Sequence, residues 1–257
     1  MGSSRAEGEL RPRAIDLTRS SRGWIVKFKY RRRTETMSSR IIIDCSGRTS
    51  RLLKPFGAER IILDRLICGC IYGSLASGVV GISYTEADAD GWWYTAALPG
   101  KRRILAWHTD ADLPARSYFR SRYALLERAC RSLELSDQLS DSSFDGNESP
   151  RVMAAYSSAL VAAAGDDWLA AGDAASCFDP LSSQGLFHAL YTGLASAEAA
   201  DRALSGDRFA LSTYAARCAE IFAAYQRNLK AAYGIESRWP DREFWRRRSG
   251  IGTHRLP

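Results

Sequence analysis

Asp173 is the carboxylate in this chain whose neighbours point most clearly to chemistry. Residues 168–171, Trp-Leu-Ala-Ala, form a short and wholly apolar run, as a strand buried on both faces would be. Gly172 follows, where the backbone can leave that strand without a side chain obstructing a ligand. Asp173 then stands at the strand's carboxyl end, where open α/β sheets bind their ligands. Beyond the loop Asp179-Pro-Leu-Ser-Ser-Gln-Gly185, residues 185–204 carry helix formers with apolar side chains at helical spacing. The first-turn amides of such a helix attract an anion such as a pyrophosphate. The chemistry that these residue types support is the grip on an anionic cofactor. Gly-Asp alone is an ordinary turn dipeptide, with Pro180 a loop residue, so the specificity lies in the whole run.

A second carboxylate has a similar setting. Residues 40–53 read as an apolar strand ending in Asp44, a tight turn at Gly47 and the start of a helix. Asp44 and Ser50 could equally cap that turn and that helix. Further on, residues 90–100 and 103–113 are rich in aromatic and β-branched types and flank Pro99-Gly100, which predicts two strands of an antiparallel hairpin. Trp92, Trp93, Tyr94 and His108 on that hairpin are candidates for lining a substrate cavity, or for domain core. Neither His108 nor His188 has a nucleophile or carboxylate at a meaningful spacing, so a hydrolytic triad finds no support. His188, one turn into the predicted helix, is expected to satisfy packing or a loop.

The 168–185 run resembles the second FAD-binding motif of flavoprotein monooxygenases of the para-hydroxybenzoate hydroxylase fold. Its Asp-Pro-Leu-Ser-Ser-Gln-Gly wording is most similar to the branch that contains the flavin-dependent tryptophan halogenases. Asp44-Cys-Ser-Gly-Arg-Thr-Ser50 resembles the same family's Asp-x-x-Gly-x-x-Ser fingerprint. The resemblance implies that Asp173 holds the ribityl chain of FAD, that residues 180–185 lie beside the flavin ring, and that Asp44 lies near the FAD and the approach of a nicotinamide cofactor. The implied cofactor set is Asp44, Gly47, Gly172, Asp173, Asp179, Pro180, Ser183, Gln184 and Gly185.

Where halogenases carry Trp-x-Trp-x-Ile-Pro, this chain has Trp92-Trp-Tyr-Thr-Ala-Ala-Leu-Pro99, and their catalytic lysine segment has no counterpart. Residues 63–66, 91–94, 109–112, 179–185 and 236–248 are most similar to a halogenase-like subgroup that includes flavoproteins maturing quinone-cofactor amine oxidases and dehydrogenases by oxidising side chains of a protein substrate. The resemblance covers residues 24–248. It implies an FAD-dependent oxidoreductase, with NAD(P)H as reductant, that passes oxygen from a flavin hydroperoxide to an aromatic small molecule or to a peptide side chain. The alternatives are a halogenase-like enzyme, or a non-catalytic remnant that serves as an interaction protein.

The implied fold class is α/β with an α+β insert: an incomplete FAD-binding Rossmann-like domain interrupted by an antiparallel-sheet substrate domain. The expected divisions are residues 1–58 and 164–234 for FAD binding, 59–163 for substrate, and a basic, aromatic tail at 235–257. No Gly-x-Gly-x-x-Gly turn is found in the chain. The polar opening at residues 1–13 leads straight to strands at 15–18 and 24–30, so a dinucleotide-binding segment is expected ahead of Met1. Without it, the edges of the strands at 41–43 and 168–171 would lie open.

The 257 residues, 46% hydrophobic and 25% charged, suffice for one or two globular domains. No run approaches a membrane span and the N-terminus lacks a signal-peptide core, which predicts a cytoplasmic protein without membrane contact. The six cysteines are expected to be buried free thiols. Net charge is +7. Arg31-Arg-Arg33 reads as a solvated hairpin tip, and Arg246-Arg-Arg248 beside Trp239, Phe244 and Trp245 as a surface for a partner protein. No nucleic-acid motif accompanies them. Apolar spacing predicts helices over 117–135 and 208–233, with a loop at 136–150.

Overall fold

A computed structural model describes residues 15–30, 33–76 and 81–249. The opening at 1–13 and the proposed tip at Arg31 and Arg32 lie outside the described residues. The helices are α1 (Arg122–Ala129), α2 (Leu133–Gln138), α3 (Gly185–Leu204), α4 (Ala210–Gly234) and α5 (Glu243–Ser249). The chain divides into two compact units. The first takes the residues up to Ile61 with Ala159–Cys177 and Gln184–Phe222; the second takes Ile62–Ser158, Phe178–Ser183 and the residues from Ala223 onward.

In the first unit, strands Ile15–Ser20, Gly23–Tyr30 and Arg33–Ser39 form an antiparallel meander. Trp24 anchors it: the indole is buried, donates to the Asp167 carbonyl at 2.9 Å and meets Phe56 edge-on at 4.6 Å. Gly23 has φ 121°, and a Cβ there would strike the Ser39 carbonyl oxygen. Gly23→Ala is therefore expected to cost about 1–3 kcal/mol in urea unfolding. A second sheet pairs Ile42–Asp44 in parallel with Trp168–Ala170, which makes a hairpin with Ala164–Gly165 through Asp167 at φ 59°. Trp168, Leu169 and Ala170 are all buried, as an apolar run predicts. Ala199 and Ala200 of α3 and Tyr214 and Cys218 of α4 pack in the same core. The strand Ile42–Asp44 ends the sheet order, and Ile43 is exposed.

The second unit is built on an antiparallel sheet in which Leu66–Leu75, Arg102–Asp110, Gly91–Leu98 and Ser83–Asp88 are successive neighbours. Period-2 alternation gives the sheet two apolar faces. Leu66, Cys68, Cys70, Trp92 and Ala106 share one with Tyr233, Phe244 and Trp245, while Ile71, Trp93, Leu105 and Trp107 share the other with Phe119, Leu125 and Leu135. On the latter side the buried guanidinium of Arg128 lies 4.3 Å from the Trp107 ring and ion-pairs with Asp88 and Asp90. The α/β class with an antiparallel sheet domain is borne out.

Several local expectations are corrected. Residues 117–135 are not one helix but a 3₁₀ segment, Pro114–Arg120, followed by α1 and α2. Ser121 and Ser132 interrupt them, because each side chain accepts a following amide (Ala124 and Leu135) and so starts a new helix. The presumed loop at 136–150 includes the end of α2 and a short strand, Ser142–Ser143. No helix begins at Ser50, whose hydroxyl turns back to Asp44; a single 3₁₀ turn forms at Lys54–Phe56. Of the six cysteines, Cys45 and Cys130 are exposed rather than buried. In the described part of the tail, α5 buries Phe244 and Trp245 and pairs Arg247 and Arg248 with Glu243, Asp110 and Asp112, while Arg246, paired with Glu243, stays half exposed.

Candidate functional site

The carboxyl ends of the two parallel strands carry the first group of residues. Asp44 lies opposite Ala170 in the ladder, and Ala171 donates to the Asp44 carbonyl at 2.9 Å. Gly172 leaves the strand at φ 58°, with its amide on the Thr192 hydroxyl of α3 at 2.8 Å. That hydroxyl in turn donates to the His188 carbonyl at 2.6 Å. Strand end and helix are thereby tied, and Asp173 projects from the junction with its carboxylate 40% exposed and 3.7 Å from Arg48.

The two carboxylates are used differently. Asp44 is buried and spent on its own turn: it accepts the Ser46 amide at 2.9 Å, the Ser46 hydroxyl at 2.6 Å and the Ser50 hydroxyl. It shapes the Gly47 turn, at φ 90°, rather than presenting oxygens outward. Asp173 and the start of α3 do face outward, beside Arg48, whose side chain is 18% exposed. No side chain caps α3 at Gln184, and a Cβ on Gly185 would meet nothing within 4 Å. An accessible carboxylate accepts from polyol hydroxyls, while a cation and uncapped first-turn amides donate to phosphate, so these residues fit the polar side of FAD.

The loop 178–183 belongs to the second unit and is pinned from its inner side. Buried Asp179 accepts the Leu181 amide on Oδ1 at 2.9 Å and the Tyr233 hydroxyl on Oδ2 at 2.8 Å, while its own amide donates to Tyr225 Oη at 2.7 Å. Pro180, Ser183, with φ 52°, and Gln184 are exposed. Burial pushes the Asp179 carboxyl up to about 6, against the Leu181 amide, the Tyr233 hydroxyl and Arg248, which favour its ionised form.

On the hairpin, Trp92 and Trp93 point to opposite faces of the sheet. The Trp93 indole is core and donates to Asp88 at 3.2 Å. Trp92 donates to Tyr233 Oη at 3.0 Å and stacks on His108 at 3.6 Å; half-buried Tyr94 packs on the same face. Burial holds the His108 imidazole down to about 3, so it is neutral at physiological pH, and its Nδ1 is buried without a partner. His188 does what packing predicts: its Nε2 meets the Ser176 hydroxyl at 2.8 Å.

Sequence reasoning does not single out Arg48, Thr192 or Tyr233, and Tyr225 enters it only as part of an apolar helix face. A signal is nevertheless present in the tyrosines at 225 and 233, whose spacing of 8 keeps both hydroxyls on one side of a helix.

No protein-family model matches the chain. Its fold is that of flavin-dependent halogenases and hydroxylases, as the motif resemblance implied. The halogenase CmlS superposes with a TM-score of 0.79 at 22% identity, over 91% of this chain and 44% of its own. QhpG, a peptidyl tryptophan dihydroxylase essential for tryptophylquinone cofactor biogenesis, superposes with a TM-score of 0.77 at 22% identity, over 96% of this chain and 56% of its own. In sequence the chain is similar to the putative FAD-dependent oxidoreductase LodB of Marinomonas mediterranea, with 26% identity over 95% of this chain. It spans 65% of the length of LodB. Among the described residues no helix is long and apolar enough to cross a membrane, and no cluster of possible metal ligands occurs.

Proposed function

We propose that this chain carries flavin-binding and substrate-side residues of an FAD-dependent oxidoreductase that oxidises an aromatic ring, on a small molecule or on a peptide side chain. The observation that carries this reading is the junction of Gly172, Asp173 and α3 at the carboxyl ends of two parallel strands, where an accessible carboxylate and an uncapped helix start face outward beside a largely buried cation. The first unit supplies the FAD-binding part (Asp173, Arg48 and Gly185) and the second the substrate part. When bound, the flavin supplies the redox chemistry and the activation of oxygen. The chain's own residues orient and exclude. Asp173 and Arg48 hold the polar chain, and Asp179 keeps its loop rigid so that Pro180, Ser183 and Gln184 face outward. Neutral His108 and the Trp92 indole are buried and stacked on each other, so they hold that face of the sheet in place from within. Reduction by NAD(P)H and a cytoplasmic location belong to the same proposal, the latter supported by six cysteines held as thiols rather than disulfides.

Halogenation is the second reading, because CmlS shares the fold. Turnover of a tryptophan-containing peptide with FAD, NADPH, halide and isotopically labelled dioxygen separates the two. Labelled oxygen in the product is expected; a halogenated product without labelled oxygen would move the assignment to the second reading.

A further inference from the structure

We propose that Tyr225 and Tyr233 of α4 are positioning residues that fix the 179–182 turn from its inner side, and that Tyr233 sets the Trp92 indole with the same hydroxyl. The role assigned to that turn rests on the flavin reading above. The two tyrosines stand eight residues apart, close to two helical turns, and so share a face. Each reaches a different atom of one residue. Tyr225 Oη takes the Asp179 amide at 2.7 Å and meets the Ser157 hydroxyl at 2.7 Å, while Phe178 stacks on its ring at 4.3 Å. Ser157 is held in turn, its amide on Asp64 Oδ2 at 3.0 Å. Tyr233 Oη gives its proton to Asp179 Oδ2 at 2.8 Å and accepts the Trp92 indole proton at 3.0 Å.

Packing alone does not require these hydroxyls. Phenylalanine would fill the same space against Phe244, Trp245 and Phe178. What the hydroxyls add is direction, because a buried, fully satisfied network admits one arrangement, and losing one member leaves a donor or acceptor stranded without water. Tyr225, Tyr233, Asp179 and Ser157 are all buried. Asp179 is left with its inner atoms bonded to α4 and to the Leu181 amide, so the turn has no freedom to rotate while Pro180 faces outward. The other charged groups acting on Asp179 are Arg248 of α5 and Asp64, before the strand Leu66–Leu75.

The test uses the full chain with Tyr233→Phe and Tyr225→Phe. Three quantities are read for the first variant: the Asp179 carboxyl titration and the Trp92 indole resonance by NMR, and the dissociation constant for FAD. Tyr233→Phe is expected to move the Asp179 midpoint upward, because a bond to the ionised form is lost, to shift the indole resonance, and to weaken FAD roughly tenfold. Tyr225→Phe, which leaves the carboxylate's own bonds in place, is expected to speed hydrogen exchange at the Asp179 amide. A lower melting temperature with midpoint, indole signal and amide exchange unchanged would mean that the tyrosines only pack, and would overturn the proposal. If wild type takes up no FAD, the flavin reading falls, and the titration, indole and exchange measurements still decide the brace.

Discussion

Asp110→Ala is expected to destabilise the second unit by about 3–5 kcal/mol, because it breaks a buried ion pair from one side only. Asp110 is 1% exposed and lies between two arginines of α5. Arg248 grips it bidentately, at 2.6 Å on Oδ1 and 3.1 Å on Oδ2, and Arg247 reaches Oδ2 at 3.0 Å. The Arg248 guanidinium is itself buried, 3.8 Å from the Phe244 ring centroid and 5.2 Å from that of Tyr233. Removing the carboxylate strands a cation that has already lost its water. The cost is therefore mainly the penalty of an uncompensated charge rather than the worth of the pair. For the same reason Asp110→Leu combined with Arg248→Met is expected to cost much less than the sum of the two single changes. Urea unfolding of both singles and the double checks this. Single-mutant losses below about 1 kcal/mol would show the pair to be solvent-screened.

The second large effect is a dependence of stability on pH that traces to one carboxyl. Asp179 holds its proton to about pH 6 when folded, whereas an aspartate in an unfolded chain releases it near pH 4. Between those values the folded state binds more protons than the unfolded state, so stability falls as pH rises through this window. The contribution is full below about pH 4 and has dropped by roughly 3 kcal/mol once pH passes well above 6. Asp179→Asn cannot ionise and is expected to flatten the unfolding free energy between about pH 4 and 7. The same slope in wild type and Asp179→Asn would assign the dependence to other groups.

What the sequence discloses is local. The strand at 168–170, the Gly172 exit and helix α3 are set by neighbouring residues, through an apolar run, a glycine at positive φ and helical spacing, and they stand where the pattern predicts. The hairpin around Pro99-Gly100 is legible for the same reason. Residues 117–135 depart from the expected single helix because apolar periodicity continues across Ser121 and Ser132, whose side chains cap new helices and outweigh it. The long-range pairs are not legible at all. Arg248 and Asp110 are 138 positions apart, and Tyr233 and Asp179 are 54 apart, so nothing local marks them as partners. In the tail, a run of arginines beside aromatics gives no local sign that Arg247 and Arg248 are paired with Asp112 and Asp110 of the same unit. Asp44 and Asp173 carry similar sequence settings, yet only Asp173 keeps its oxygens clear of its own turn.

The central claim is that Asp173, at the Gly172 exit, is a grip on FAD. The purified chain is incubated with FAD and desalted, and the flavin absorbance that remains is measured for wild type and Asp173→Ala. Wild type is expected to retain flavin, and Asp173→Ala to raise the dissociation constant roughly tenfold to a hundredfold, the loss of one charge-assisted hydrogen bond. Equal retention by the two proteins would contradict the assignment of Asp173, and no flavin on either would contradict the cofactor reading of this chain.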